Sequence, residues 1–102
     1  MKMLLVVFRH SLEDEILELL KSLDVKAFTE APKVFGIGEA GAALHSFTYP
    51  GFNSMILTVL AEDQAERVME GFKAFRDRLA QQQHGAKIPL RVFALPCEEV
   101  VG

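Results

Sequence analysis

The sequence predicts an α+β domain with the element order β-α-β-β-α-β, and three observations carry that prediction. Four short runs rich in apolar and β-branched residues read as strands, and two longer stretches with apolar residues at three- and four-residue steps read as helices. The third observation is an interruption: Gly36–Phe52 places four glycines and three aromatics in 17 residues between the second and third strands. A connection of that length inside a small domain is uncommon and marks either a functional loop or disorder. The order describes a ferredoxin-like arrangement, a four-stranded antiparallel sheet with both helices on one face. A chain of 102 residues supports one hydrophobic core, so residues 1–102 are expected to form a single domain.

Each element has its own warrant. Met3-Leu-Leu-Val-Val-Phe8 is a continuous apolar run, suited to a central strand covered on at least one face. Ser11 stands where it would cap the first helix, with Glu13, Asp14 and Glu15 in the opening turn, where the helix dipole favours negative charge. Leu12, Ile16, Leu19, Leu20 and Leu23 share one face of that helix. From Val25 to Phe35 the helical period disappears, and Phe28, Thr29, Val34 and Phe35 indicate a strand that Pro32 restricts to a sheet edge or a bulge. Asn53–Ala61 is the clearest strand and is expected to pair back across the glycine loop as a hairpin. The second helix opens near Asp63, turns Ala65, Val68, Met69, Phe72, Phe75 and Leu79 inward, and ends at Gln81–Gly85 with Gly85 as the left-handed cap. Leu90–Leu95, bracketed by Pro89 and Pro96, is the fourth strand, and Cys97–Gly102 is a tail.

Composition removes several function classes. A formal net charge of −3 provides no basic stripe for nucleic acid. The longest apolar run, Met3–Phe8, is far too short to insert in a membrane, and the single cysteine, Cys97, excludes an intrachain disulfide, so a cytoplasmic protein is expected. Half of the residues are apolar, and a small domain of that composition is expected to complete its burial as a homo-oligomer. No strand-to-helix serine elbow and no recognisable pair of catalytic carboxylates occurs, which argues against an enzyme.

Three stretches, in this order and spacing, carry a resemblance: Leu12-Glu-Asp-Glu-Ile-Leu-Glu-Leu-Leu20 after the first strand, Val34-Phe-Gly-Ile-Gly38 at the loop entry, and Val59-Leu-Ala-Glu-Asp63 leaving the third strand. The chain resembles the nitrogen regulatory PII signalling proteins, and more closely their PII-like variants with shortened T-loops. The resemblance implies a trimer whose clefts between subunits hold an adenine nucleotide or a similar small anionic effector. It makes loop 36–52 the T-loop equivalent, which reports effector state to a partner protein such as an enzyme or transporter. The stretch Gln83–Pro89 matches the family's glycine-rich motif before the last strand only at Gly85 and Lys87.

The candidate residues follow from chemistry and resemblance together. Gly36, Gly38 and Gly41 can expose backbone amides to a phosphate, or act simply as a hinge. Lys87 and Arg91 are the cations nearest the expected cleft, and Arg91 has the planar fork that grips an oxyanion; a solvated lysine and an outward-facing arginine are the plainer readings. Arg9, ending the first strand, has the same two readings. Phe47 and Tyr49 alternate with polar or small residues and are candidates for partner contact. The alternative function is a metal-binding or metal-stress protein on the same trimeric scaffold, with His45 and Glu39 as ligands to a divalent ion.

Overall fold

The computed structural model describes residues 1–34, 52–84 and 87–102. In chain order these form β1 (Lys2–Arg9), a short 3-10 turn (His10–Leu12), α1 (Glu13–Ser22), β2 (Thr29–Val34), β3 (Asn53–Leu60), α2 (Glu62–Gln82) and β4 (Leu90–Pro96). The expected order is therefore the observed one. The sheet runs β2-β3-β1-β4 with every neighbouring pair antiparallel.

The apolar run of β1 is central because it pairs on both sides, Val6 lying opposite Ile56 of β3 and Val92 of β4. Side chains alternate across a strand, so Leu4, Val6 and Phe8 fall on one face and Met3, Leu5 and Val7 on the other. The first face is covered. Leu4, Val6, Phe8, Ile56 and Leu60 join Ile16 and Leu20 of α1 and Ala65, Val68, Phe72, Phe75 and Leu79 of α2 in one buried cluster. Each such large aliphatic or aromatic side chain contributes about 1.5–3 kcal/mol by leaving water. Close approach of the helices has a local cause at Gly71 of α2, where an added Cβ would stand 2.6 Å from Leu23 Cδ1. Thr58, buried on the same sheet face, donates from Oγ1 to the Ala27 carbonyl at 2.8 Å and so ties the α1–β2 connection to β3.

One local expectation changes, and a second falls outside the described residues. Ser11 is not the cap of α1: it lies exposed inside the 3-10 turn, and Leu12 occupies the cap position with no side-chain hydrogen bond. The tight turn brings the chain into helix from a helical direction, which leaves the acidic first turn Glu13, Asp14 and Glu15 as the electrostatic support. The left-handed residue that ends α2 is His84, with φ 55°, whereas Gly85 lies outside the described residues. The restriction imposed by Pro32 is realised in both senses, since β2 is an edge strand and also bulged. Its register steps from Ala31 opposite Met55 to Val34 opposite Asn53, and Lys33 takes φ 55° at the step.

No helix among the described residues packs on the second face of the sheet. Leu57, Val59, Phe93 and Leu95 project there, 38%, 44%, 46% and 46% exposed, beside Met3, Leu5 and Val7 of β1.

Candidate functional site

Chain segments converge where β1 ends. The Arg9 N–H donates to the Pro89 carbonyl at 3.0 Å, just ahead of β4, and the His10 N–H donates to the Phe52 carbonyl at 2.8 Å, just ahead of β3. Val34, the last residue of β2, lies opposite Asn53, so both roots of the segment 35–51 stand beside the end of β1. Pairing thus brings together stretches that are far apart in sequence.

On the uncovered face this convergence places two arginines at the margin of an apolar surface. Arg9 lies opposite Asn53 and Arg91 opposite Val7, which makes them diagonal neighbours across β1 and β4. Arg91 is exposed, as is Lys87 four residues earlier. Two guanidinium forks beside an apolar surface suit an anion attached to a flat or apolar body, because each fork supplies paired donors and the surface accepts the rest.

On the covered face, at the same end, sits a polar cluster. Ser54 is fully buried; its Oγ accepts from the Lys33 N–H at 3.2 Å and lies 2.7 Å from His10 Nδ1. His10 Nδ1 is also 3.4 Å from Glu13 Oε2. Glu30, across β2, has its carboxyl pushed up to about 7 by hydrogen bonding with Glu13, by burial, and by the repulsion of that second negative charge. Its Oε2 is buried with no hydrogen-bond partner among the described residues.

The structure brings only part of the expected site together. Arg91 and Lys87 lie near the end of β1. Gly36, Gly38, Gly41, Phe47, Tyr49 and Gly85 lie outside the described residues, as do Glu39 and His45 of the metal alternative. Among the described residues no group of three or more His, Cys, Asp or Glu side chains is placed to hold a metal ion, and no helix is long and apolar enough to cross a membrane. The His10, Glu13, Glu30 and Ser54 cluster was not foreseen. Its signal was present: in a strand whose inward residues alternate, Ser54 stands in phase with Ile56, Thr58 and Leu60 and, like Thr58, is a buried polar side chain that must find a partner.

Among the described residues, a ferredoxin-like sheet leaves one apolar face uncovered and gathers the roots of a long connection at the end of its central strand. The sequence matches the model of the nitrogen regulatory protein P-II family over residues 1–102, and the chain belongs to that family. Among solved structures it is similar to CPII of Thiomonas intermedia K12 bound to ADP, AMP and acetate, with 22% identity over 91% of this chain and 81% of that one and a TM-score of 0.64. The same protein bound to ADP, AMP and bicarbonate matches at 20% identity over 92% and 84%, with a TM-score of 0.60. A putative PII-like signalling protein from Thermus thermophilus matches at 19% identity over 92% and 82%, with a TM-score of 0.57. At these identities the likeness concerns the fold. No curated protein matches the sequence.

Proposed function

We propose that this chain is a non-enzymatic, cytoplasmic sensor that assembles as a trimer through its uncovered sheet face and binds a small anionic effector in the clefts between subunits. The observation that carries the proposal is the pairing of that apolar face with Arg9 and Arg91 at its margin, beside the roots of the segment 35–51. Burying Leu57, Val59, Phe93 and Leu95 against neighbouring copies supplies the association energy, and the same packing brings the arginine-bearing margin of one subunit against another. An adenine nucleotide is the favoured effector, since a solved relative holds ADP and AMP, with Gly36, Gly38, Gly41, Gly85, Lys87 and Arg91 as its binding residues. Binding would bias loop 36–52 between states, and Phe47 and Tyr49 would present that state to a partner enzyme or transporter.

The test is thermal unfolding and calorimetric titration of the assembled protein with ADP, AMP and bicarbonate, because a ligand that binds only the folded state raises the transition by mass action. Arg91→Ala should weaken nucleotide binding roughly ten- to hundredfold, the worth of one hydrogen bond to a charged group, without lowering the melting temperature of the unliganded protein. Equal affinity in the variant and the native chain would remove Arg91 from the site. No binding by either would remove the nucleotide reading.

A further inference from the structure

We infer that the groove between α2 and β4 receives residues 97–102 of a second copy of the chain, one valine of Val100–Val101 resting on its apolar floor and one carboxylate of Glu98–Glu99 meeting Lys73 and Arg76 on its rim. The groove opens on the helix-covered side of the sheet, away from the apolar face proposed for assembly, so the inference stands without that reading.

The groove follows from the position of β4. It is an edge strand of the described sheet, and its inward residues Leu90 and Val92 are only half-buried where Met69 and Phe72 of α2 face them. Phe72 is buried and forms the floor, while Lys73 and Arg76, from the same turns of α2, stand exposed at the rim. The volume of about 180 Å³ selects the class of occupant. Sites for small molecules and cofactors run to roughly 300–1,000 Å³, so this groove suits one or two side chains of a peptide rather than a nucleotide. Its cations are held lightly. Lys73 Nζ lies 3.1 Å from Glu70 Oε1 and Arg76 Nη2 lies 3.5 Å from Asp77 Oδ1, with all four side chains more than half exposed. Exposed pairs of this kind contribute little, so another carboxylate can replace either partner at small cost.

The segment that follows β4 has the complementary chemistry. Glu98 and Glu99 precede Val100 and Val101, and these valines are 85% and 88% exposed, the most exposed large hydrophobic residues described. Side chains alternate along an extended chain, so Glu98 and Val100 share one side and Glu99 and Val101 the other. Either side therefore offers one carboxylate and one valine in sequence, matching a cationic rim over an apolar floor.

The backbone indicates whose groove is filled. The Cys97 N–H donates to the Met1 carbonyl at 3.3 Å, which carries the segment on past the start of β1 in the direction of β4. The groove of the same chain lies behind it. Reaching that groove requires a reversal over Cys97, Glu98 and Glu99, which include none of the Gly, Pro, Asn, Asp or Ser residues that tight turns use. A second copy requires no reversal. The contact joins unlike surfaces, a type that closes into a ring under cyclic symmetry and is therefore compatible with a trimer. Six residues in so small a groove bury far less than the roughly 1,200 Å² of a stable interface, so the contact is reversible and does not itself set the oligomeric state.

The experiment is an isotope-filtered NOE spectrum of the native full-length chain, with copies carrying carbon-13 valine methyls mixed with unlabelled copies and left to exchange. Methyl protons of Val100 or Val101 should show contacts to Met69 and Phe72 protons of the unlabelled copies. The docking equilibrium is then read from the Val100 and Val101 methyl shifts. Glu98→Lys and Glu99→Lys should weaken it roughly two- to fivefold for each charge that engages, the worth of an exposed ion pair. Adding Lys73→Glu and Arg76→Glu to the same chain should restore it. Contacts seen only within one chain would overturn the second copy as occupant, and no contact in either sample would overturn the groove as a docking site. Charge reversal without restoration would overturn the match at the rim. Sedimentation reports the oligomeric state separately, so a failed docking experiment and a failed trimer are distinguishable.

Discussion

The two faces of the sheet are built from the same strands and are almost equally apolar, yet among the described residues only one is covered. Leu4, Val6, Phe8 and Ile56 point to α1 and α2 and are essentially inaccessible, whereas Leu57, Val59, Phe93 and Leu95, one residue out of phase, stand 38–46% exposed. An antiparallel sheet with one solvated face normally alternates apolar and polar residues. The absence of that alternation in β1, β3 and β4 is informative, because a strand that spends apolar residues on both faces has two surfaces to hide. The polar exceptions divide in the same way: Arg9 and Arg91 end the uncovered face, and Ser54, Glu30 and their partners end the covered one.

Substitutions on the two faces should separate stability from assembly. Phe8→Ala, on the covered face, should have the largest effect, about 3–5 kcal/mol lost in denaturant unfolding, a large share of the total for a domain of this kind. Leu95→Asp, on the uncovered face, should leave the subunit folded, with far-ultraviolet circular dichroism retained and the intrinsic stability of the subunit changed by about 1 kcal/mol or less, while its association is broken. A Leu95→Asp protein that simply unfolds would mean that this face belongs to the fold and not to an interface. The most local effect should come from Ser54→Ala, which removes the acceptor of the Lys33 N–H and the neighbour of His10; about 1–3 kcal/mol is expected, read as lost exchange protection at Lys33 before any change in global unfolding.

How much of this was legible in the sequence depends on the range of the interaction. The element order, the edge position and bulge of β2 at Pro32, and the inward face of α2 from Ala65 to Leu79 all follow from local periodicity and from the missing N–H of proline. The failure of Ser11 as a cap was also local but finer, because a 3-10 turn displaces the helix start with no signal in residue type. Arg91 could be singled out as a cation near an expected cleft, but its alignment with Arg9 depends on strand register, which fixes the face of every side chain. The polar cluster lay furthest from view. His10 and Ser54 are 44 positions apart, and only the hairpin that returns β3 alongside β1 and β2 makes them neighbours. Reading Ser54 and Glu30 as polar residues in inward phase would have flagged the need for partners without naming them.

The claim that orders all the rest is that the uncovered face is an interface between copies. Sedimentation velocity of the native chain beside Leu95→Asp, at micromolar concentration and without ligand, tests it most directly. The native chain should sediment with three times the 11.4 kDa chain mass and the variant with one. A native chain that sediments as a folded monomer at every concentration would contradict the account, leaving the apolar face without its partner and the arginine margin without its cleft.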